Sequence, residues 1–426
     1  MRRFSLLIPA VLLVGHAASA QIFESGSTGV DGPFMPTKNV TVTLPDDGVL
    51  NYTIFNVPSG ITVTFKRNKA NTAVHVLASD TVVIDGVINV SGGNPVATTA
   101  IAGLTILGGI GGPGGSDGAS MGQLGHAAGL GPGGGIGPEV TAGKKSDCPT
   151  AGGGASLVND GVTALAGYPG QCDVGAGGKA YGDSGYQPLH GGSGGGSVGV
   201  NTGGGGGGGV IVIASSKSIT VNGTILARGG NGAHSGAYGG GGAGGGGVIR
   251  LAAPEIHGKG TLDARTGDYC SASNENYWGA CGGNGLIRVE GFDVDLTLEP
   301  NAKPGLQYAF PLKAVPYPLI ERPQLAVIGV AGKTPYLAPN FGHAHQVPGL
   351  SLPTGKDIAV TVEAAWVPLG TKVNVIVNTL GHGQLLATTD GLAGAIEKST
   401  ASATINIPTG TRMGTIEAWI PSVPLN

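Results

Sequence analysis

The stretch that decides the fold is Gly209-Val-Ile-Val-Ile-Ala214, followed by Ile219-Thr-Val-Asn-Gly-Thr-Ile-Leu-Ala-Arg-Gly-Gly230. It recurs as Gly247-Val-Ile-Arg-Leu-Ala252 and Ile256-His-Gly-Lys-Gly-Thr-Leu-Asp-Ala-Arg265, a shift of 38 residues at the start and 37 at the end. Two partial copies share one half of this unit: Ile84-Asp-Gly-Val-Ile-Asn-Val-Ser-Gly-Gly93 and Gly285-Leu-Ile-Arg-Val-Glu290. Short β-branched strands that repeat every 20–50 residues or so are typical of a solenoid, because each unit buries its apolar face only against the next one.

These repeats predict an all-β chain built on a right-handed parallel β-helix. Alternation along each short strand directs apolar side chains inward, and glycine permits the tight corners between strands. The glycine-rich segments at residues 229–247 and 266–283 are predicted to be excursions between successive turns of the helix. The longest excursion is expected to run from about Gly92 to Gly209. No segment before residue 300 has the apolar period of an amphipathic helix.

The composition excludes several classes of protein. Glycine makes up 84 of the 426 residues and proline 27, which often indicates disorder. However, 40% of the residues are hydrophobic and the net charge is only −3, so wholesale disorder is not expected. Collagen is excluded because glycine does not recur at every third position. The charge balance also provides no basic surface for nucleic acid.

The run Gly203–Gly209 raises the question of a phosphate-binding loop. Such a loop requires a helix that begins with Lys and Ser or Thr, whereas the strand-like segment Val210–Ala214 follows this run. The alternative is close packing of backbone on backbone. In one form of that packing the glycine runs are polyproline-II strands, between which only glycine fits. We therefore expect ordered excursions, and we predict no cofactor and no metal.

The N-terminus has the features of a secretory signal peptide. Arg2-Arg3 precedes the apolar run Phe4–Val14, and Ala18-Ser-Ala20 supplies the small residues for cleavage after Ala20. The run is too short to anchor the protein in a bilayer, and no later apolar stretch reaches the length of a membrane span. Residues 1–20 are therefore predicted to be the signal peptide of a secreted or cell-surface protein without a membrane span.

Proline divides the remaining chain into two domains. The β-helix is assigned to residues 21–298, and six prolines in residues 299–323 predict a stiff, extended linker or a segment that wraps around the domain. Beyond the linker, alternating segments such as Lys372-Val-Asn-Val-Ile-Val377 and Thr415-Ile-Glu-Ala-Trp-Ile420 are separated by Pro-Leu-Gly and Pro-Thr-Gly turns. Residues 324–426 are therefore predicted to form a small β-sandwich.

The repeat also resembles a known group of proteins. The unit Ser218-Ile-Thr-Val-Asn-Gly-Thr-Ile-Leu-Ala-Arg-Gly-Gly230, preceded by glycine-rich sequence and Val-Ile-Val-Ile, resembles glycine-rich exported bacterial surface proteins with a pectate-lyase-like β-helix. Phe55-Asn-Val-Pro-Ser-Gly-Ile-Thr-Val-Thr-Phe65 is similar to their opening segment. The resemblance spans roughly residues 40–295 and rests on strand and turn residues. It implies the β-helix of an exported surface protein.

Aromatic residues are concentrated in the excursions and not in the strands: Tyr181, Tyr186, Tyr238, Tyr269, Tyr277 and Trp278. On exposed loops of a rigid scaffold, such residues are typical of surfaces that bind sugars or proteins. The alternative interpretation is that they cover the glycine backbone as small local cores. On the first interpretation the protein is structural or adhesive, and its partner is a carbohydrate or a cell-surface or matrix component.

Four cysteines, Cys148, Cys172, Cys270 and Cys281, fit disulfides formed in an oxidising compartment. Among the three possible connectivities, proximity in the sequence favours a bridge between the first two and a bridge between the last two. Each bridge would then pin one glycine-rich excursion. A zinc site is a poorer interpretation because the spacings are wide and no paired His motif follows.

The competing function is that of a polysaccharide lyase or glycoside hydrolase on the same scaffold. Lyase chemistry needs clustered carboxylates for Ca²⁺ and a Lys or Arg near the proton to be abstracted. The candidates are Asp263 and Asp268 near Arg265, with Arg250 and Arg288 expected to stack in adjacent repeats. Because no acidic group recurs at matching positions, we interpret these charges as a solvated polar ladder and assign no catalytic residue.

Overall fold

The computed structural model describes residues 23–97, 104–122, 128–138, 153–155, 157–164, 173–182, 186–187, 190–198, 202–233, 239–268, 279–296, 299–300, 306–309, 323–335, 345–347, 352–380, 383–421 and 423–424. The predicted signal peptide and most of the predicted linker lie outside these residues. Within them the chain forms strands, turns and extended segments and no α-helix, so the described protein is all-β. None of it is therefore a helix of the length and apolarity needed to cross a membrane.

The described strands up to Ala309 are short. In chain order they are β1 (Val40–Thr43), β2 (Val49–Tyr52), β3 (Phe55–Val57), β4 (Thr62–Lys66), β5 (Val74–Ala78), β6 (Val82–Ile84), β7 (Val87–Asn89), β8 (Val96–Ala97), β9 (Leu104–Leu107), β10 (Met121–Gly122), β11 (Tyr186–Gln187), β12 (Val210–Ser215), β13 (Ser218–Val221), β14 (Thr224–Leu226), β15 (Val248–Ala252), β16 (Glu255–Gly258), β17 (Thr261–Asp263), β18 (Leu286–Glu290), β19 (Asp293–Leu296), β20 (Glu299–Pro300) and β21 (Leu306–Ala309).

The last two of these strands, β20 and β21, lie inside the predicted linker. They pair in parallel with strands of the repeats, so this part of the segment extends the parallel sheets and is not a free linker.

The strands that follow β21 are longer on average. They are β22 (Gln324–Val330), β23 (His345–Val347), β24 (Lys356–Ala365), β25 (Lys372–Leu380), β26 (Gly383–Gly391), β27 (Ala393–Ala395), β28 (Lys398–Ile407), β29 (Arg412–Trp419) and β30 (Val423–Pro424).

Three parallel sheets are built from the repeats. Sheet 1 has the order β1-β4-β7-β14-β17-β20, sheet 2 the order β2-β5-β12-β15-β18-β21 and sheet 3 the order β3-β6-β13-β16-β19. Each repeat passes through sheets 2, 3 and 1 in turn, as β12, β13 and β14 do. Val210 pairs with Val248 and Val248 with Leu286, while Thr224 pairs with Thr261. The pairing register is therefore the 38- and 37-residue spacing found in the sequence.

The inward faces of the three sheets share one hydrophobic core. Ile211 and Ile213 of β12, Ile219 of β13 and Ile225 of β14 are fully buried in it. The opposite face of β12 is buried too, because Val210 and Val212 pack against Leu157 of the long excursion. Burial on both faces explains why β12 is a continuous apolar run and not an alternating one.

Aromatic rings lie at the N-terminal end of this core. The ring of Phe34 stacks on Phe55 with 4.8 Å between centroids and also contacts Tyr52 at 5.1 Å. Backbone hydrogen bonds hold the segment in place, from Phe34 N–H to the Ile54 carbonyl and from Asn56 N–H to the Phe34 carbonyl. The chain before β1 thus covers the first repeat.

The glycine-rich excursions form a bundle of extended segments joined to sheets 1 and 2. We call it the glycine bundle, and its described residues are 90–93, 108–119, 128–136, 153–155, 161–164, 174–178, 191–197, 203–209, 228–233, 241–247 and 279–285. One segment leaves directly after β7, and another leads directly into β12. The strand register therefore sets the register at which the bundle starts.

Residues 203–209 lie among six neighbouring segments. Their N–H groups donate hydrogen bonds to carbonyls of three of these segments, and residues three apart bond to the same segment. Gly204 and Gly207 donate to Ala119 and Ser116, Gly205 and Gly208 to Gly242 and Gly245, and Gly206 and Gly209 to Gly93 and Val90. Their carbonyls accept from the other three: Gly109 and Gly112, Gly192 and Gly195, and Gly230 and Ala233. A period of three residues without internal hydrogen bonds is that of polyproline II. This agrees with the backbone-on-backbone packing expected from the sequence.

Close packing leaves no room for side chains along this segment. A Cβ added at any residue from Gly204 to Gly209 would lie 1.7–2.6 Å from a backbone atom of a neighbouring segment. The closest case is Gly204, whose Cβ would lie 1.7 Å from the Gly195 carbonyl oxygen. Glycine is needed here because neighbouring chains approach to hydrogen-bonding distance on every side.

Two antiparallel sheets follow the predicted linker. Sheet 4 has the order β22-β24-β28-β27 and sheet 5 the order β23-β29-β25-β26. They share one core, to which sheet 4 contributes Val360 and Ile405 and sheet 5 contributes Val375 and Ile416. β28 alternates strictly between buried and exposed residues, as expected for a strand with one solvated face. β29 differs, because Glu417 and Trp419 are buried although they point away from this core.

Replacement of Gly207 by Ala tests the packing of the glycine bundle. The added Cβ would lie 1.8 Å from the Gly192 carbonyl oxygen, so two hydrogen-bonded segments must separate. We expect a loss of at least about 3 kcal/mol in the free energy of unfolding, the upper end of overpacking costs. The matched control is Gly93→Ala, whose Cβ would be 3.3 Å from the nearest atom. Equal losses for the two variants in chemical denaturation would contradict this packing.

Candidate functional site

The charged residues of sheet 2 form a buried ion cluster. Arg250 and Arg288 are paired neighbours in β15 and β18, as expected from the repeat. Arg250 donates two hydrogen bonds of 2.9 and 3.0 Å to Glu290, and Arg288 donates one of 2.5 Å. Glu290 is 4% exposed and Arg288 7%. The prediction of a solvated ladder is wrong at this place, because the outer face of sheet 2 is covered.

A second ion cluster lies where sheet 1 meets the glycine bundle. Arg265 donates hydrogen bonds of 3.0 and 2.8 Å to Asp263, which is 4% exposed. Arg228 lies 3.6 Å from the same carboxylate and also pairs with Asp268. The hydrogen bond to Asp263 raises the pKa of the Arg265 guanidinium above its ordinary value. These are the carboxylates that lyase chemistry would have used, and each is engaged by an arginine.

Tyr181 is part of a local core and not of an exposed surface. Its ring packs beside Leu157, and its hydroxyl donates to the Gly191 carbonyl and accepts from Ser193 Oγ at 3.0 Å. Burial raises the pKa of this hydroxyl. The predicted binding role of Tyr181 is therefore not supported by its position, which matches the alternative interpretation of a side chain covering glycine backbone.

The other predicted contact residues lie outside what the structure describes. Only the backbone of Tyr186 is described, in β11, which pairs with β30. Tyr238, Tyr269, Tyr277 and Trp278 lie outside the described residues, and so do Cys148, Cys172 and Cys270. Cys281 is disulfide-bonded. The predicted pairing of the four cysteines stays a prediction.

The glycine bundle has two ends of different character. At the near end, its segments continue directly into sheets 1 and 2, as at Val90 and Val210. We call the far end the distal end. There the Gly204 N–H donates to the Ala119 carbonyl, the Gly195 N–H to the Gly205 carbonyl and the Ala233 N–H to the Gly203 carbonyl, so these segments lie side by side at one level. At that level the described segments 108–119, 191–197 and 228–233 end and the described segments 203–209 and 241–247 begin. The distal end is therefore where successive segments of the bundle end and begin.

Sheet 5 lies against the glycine bundle through polar groups. Gly131 donates its N–H to Glu417 Oε2 at 2.7 Å, and Asn378 donates to Glu417 Oε1 at 2.7 Å. Gln384 donates to the Gly129 carbonyl at 3.4 Å and to Asn378 Oδ1 at 2.9 Å. Glu417 is fully buried. The second face of sheet 5 is thus covered by the bundle, which explains the burial of residues that point away from the shared core.

Two ionisable groups at this contact have strongly shifted pKa values. Burial raises the pKa of Glu417 to about 8, with a smaller contribution in the same direction from the charge of Asp117. The hydrogen bonds from Gly131 and Asn378 oppose that shift. Burial lowers the pKa of His190 to about 4, and its Nε2 lies 2.9 Å from the Ile420 carbonyl oxygen. Both groups are therefore neutral near pH 6.

Sequence reasoning did not identify Glu417, Asn378 or His190. The signal was present in Thr415-Ile-Glu-Ala-Trp-Ile420, where Trp419 lies on the same face of the strand as Glu417. A large apolar residue on the supposedly solvated face indicates that this face is covered. What covers it comes from more than 200 residues earlier in the chain, and no local pattern contains that information.

Removal of the Glu290 charge tests the ion cluster of sheet 2. Glu290→Gln takes the carboxylate away from two buried guanidinium groups, and breaking a buried pair in this way typically costs about 3–5 kcal/mol. Glu363→Gln is the control, because its partner Lys398 is 73% exposed, and exposed pairs contribute about 1 kcal/mol or less. Urea denaturation of both variants measures the difference. A Glu290→Gln variant as stable as the control would show that the cluster is not electrostatically coupled.

Comparison with known proteins does not assign the chain to a group. No protein-family model matches it, and neither a curated protein nor a solved structure is found to match.

Proposed function

We propose that the protein is a secreted or cell-surface structural and adhesive protein whose distal loops are its contact surface. In this proposal, sheets 1 to 3 are the faces of a right-handed parallel β-helix of the pectate-lyase-like kind, and sheets 4 and 5 form a β-sandwich. The order in which the chain visits the three sheets and the constant register between repeats support the β-helix. The shared core of the two antiparallel sheets supports the sandwich.

The observation that carries the proposal is that successive segments of the glycine bundle end and begin side by side at its distal end. Each segment there is held by backbone hydrogen bonds to several neighbours, so the roots of the loops are fixed in space. Tyr238 belongs to the connection at 234–240, and Tyr269, Tyr277 and Trp278 belong to the one at 268–278. Loops on a rigid scaffold are the usual place for recognition residues. The proposed partner is a carbohydrate or a cell-surface or matrix component.

The proposed export rests on the N-terminal segment, which has the features of a signal peptide. The disulfide at Cys281 is compatible with it. Arg2-Arg3, the apolar run after it and Ala18-Ser-Ala20 make up the proposed signal peptide, cleaved after Ala20. A disulfide at Cys281 is compatible with an oxidising compartment.

Binding to an array of bacterial, plant and animal glycans and to immobilised matrix proteins tests the proposal. We expect the full mature chain to bind at least one of these probes, and the double variant Tyr277→Ala, Trp278→Ala to lose at least about tenfold in affinity, as is usual for aromatic anchors. The control is Met35→Ala, which truncates a 59% exposed apolar residue near the first repeat and should bind like the wild type.

Two results would contradict the proposal. One is the absence of binding to every probe, or binding that the double variant leaves unchanged. The other is turnover of pectin, alginate or glycosaminoglycan to unsaturated or reducing products, which would instead support a polysaccharide-active enzyme. Melting temperatures of all variants establish that lost binding is not lost folding.

A further inference from the structure

The contact between sheet 5 and the glycine bundle is built around a buried carboxyl group. Three described hydrogen bonds that involve side chains cross it: Gly131 N–H to Glu417 Oε2, Gln384 Nε2 to the Gly129 carbonyl, and His190 Nε2 with the Ile420 carbonyl. The short strands β11 and β30 pair next to the last of these. Beside them, Trp419 packs on Ile376 and is 7% exposed. Separation of sheet 5 from the glycine bundle would transfer the side chains of Glu417 and His190 from a dry environment to water.

We propose that this contact is a pH-dependent latch, closed while Glu417 and His190 are neutral and weakened when either becomes charged. The chemistry of the bundle favours this arrangement. Its surface offers sheet 5 the backbone N–H of Gly131 and the carbonyl of Gly129, and sheet 5 meets them with Glu417 and Gln384, which are joined through Asn378.

The groups that face Glu417 favour its neutral form. From the bundle, the nearest charge is Asp117, whose repulsion is reduced by its bidentate pair with Arg67 at 2.5 and 3.1 Å. The Tyr181 hydroxyl faces it from the same side and is neutral. From sheet 5, Asn378 and Gln384 are neutral amides. Among the described residues, no Lys, Arg or His forms an ion pair with Glu417.

The direction of the pH dependence follows from which state binds more protons. Glu417 has a pKa of about 8 when docked and an ordinary value of 4.5 when released, so release becomes easier as pH rises from 4.5 to 8. His190 has a pKa of about 4 when docked and an ordinary value of 6.5, so release becomes easier as pH falls from 6.5 to 4. The two effects oppose each other between pH 4.5 and 6.5. Docking is therefore tightest there, and it weakens at both higher and lower pH.

Between pH 6.5 and 8 the ionisation of Glu417 dominates the balance. A full tenfold change per pH unit is reduced about twofold at each end of the interval, by the half-ionised docked Glu417 at pH 8 and the half-protonated released His190 at pH 6.5. The population of the released state should therefore rise about eightfold. Hydrogen exchange of the full chain, followed by mass spectrometry on peptides covering 128–136 and 412–420, measures this change after correction for intrinsic exchange. The wild type should lose about eightfold in protection between the two pH values.

The Glu417→Gln variant isolates the carboxyl. Its amide keeps an acceptor for Gly131 and cannot ionise, so its protection should not fall from pH 6.5 to 8. The control is Glu363→Gln, a carboxyl of sheet 4 paired with Lys398, which should keep the wild-type dependence on pH. A Glu417→Gln variant that loses protection as the wild type does would overturn the proposal.

A second measurement covers the case in which Glu417→Gln does not fold. The carboxyl carbons of the wild-type protein are titrated by ¹³C NMR, and one glutamate is expected to titrate near pH 8 and to be displaced toward acid by Asp117→Asn. If every glutamate titrates near pH 4.5, the latch does not exist.

Discussion

The constraint on which the rest of the structure depends is the distance between neighbouring chains in the glycine bundle. At residues 204–209 each chain approaches its neighbours so closely that a Cβ would overlap a carbonyl group. That spacing lets every N–H and C=O reach a partner, but it removes the apolar side chains that normally stabilise a domain. Glycine also loses more conformational freedom on folding than any other residue. Hydrogen bonds worth about 1 kcal/mol each must offset that entropy.

The bundle therefore depends on the sheets to which it is joined. The three parallel sheets supply the apolar core, with Ile211, Ile219 and Ile225 fully buried in it. Because bundle segments continue into β12 and β15 at Val210 and Val248, the strand register also sets how these segments are aligned with each other. The same 37-residue offset appears inside the bundle, where Gly205 donates to Gly242 and Ala243 to Ala280. The repeat thus organises both parts of the molecule.

The same chemistry explains what could be predicted from the sequence. Apolar alternation and the shift from Val210 to Val248 were enough for the strands and their register. The six neighbours of residues 203–209 were not predictable, because a run of identical glycines has no pattern that tells one partner from another. Arg250 and Arg288 were expected in water because nothing local indicates that the long excursion covers sheet 2. Glu417 was missed for a related reason, since its cover is contributed by Gly131.

A surface made of backbone also determines what can dock on it. An apolar sheet face would leave the Gly131 N–H without its hydrogen-bond partner, at a cost of about 1–3 kcal/mol. Sheet 5 therefore presents Glu417 to Gly131 and Gln384 to the Gly129 carbonyl, and Asn378 is hydrogen-bonded to both of these side chains. A carboxyl in such a place is tolerated because it is neutral near pH 6, and the same property makes the contact sensitive to pH. The group of sheet 5 that binds the Gly131 N–H is therefore also a titratable one, whereas the Gly129 carbonyl is bound by the neutral amide of Gln384.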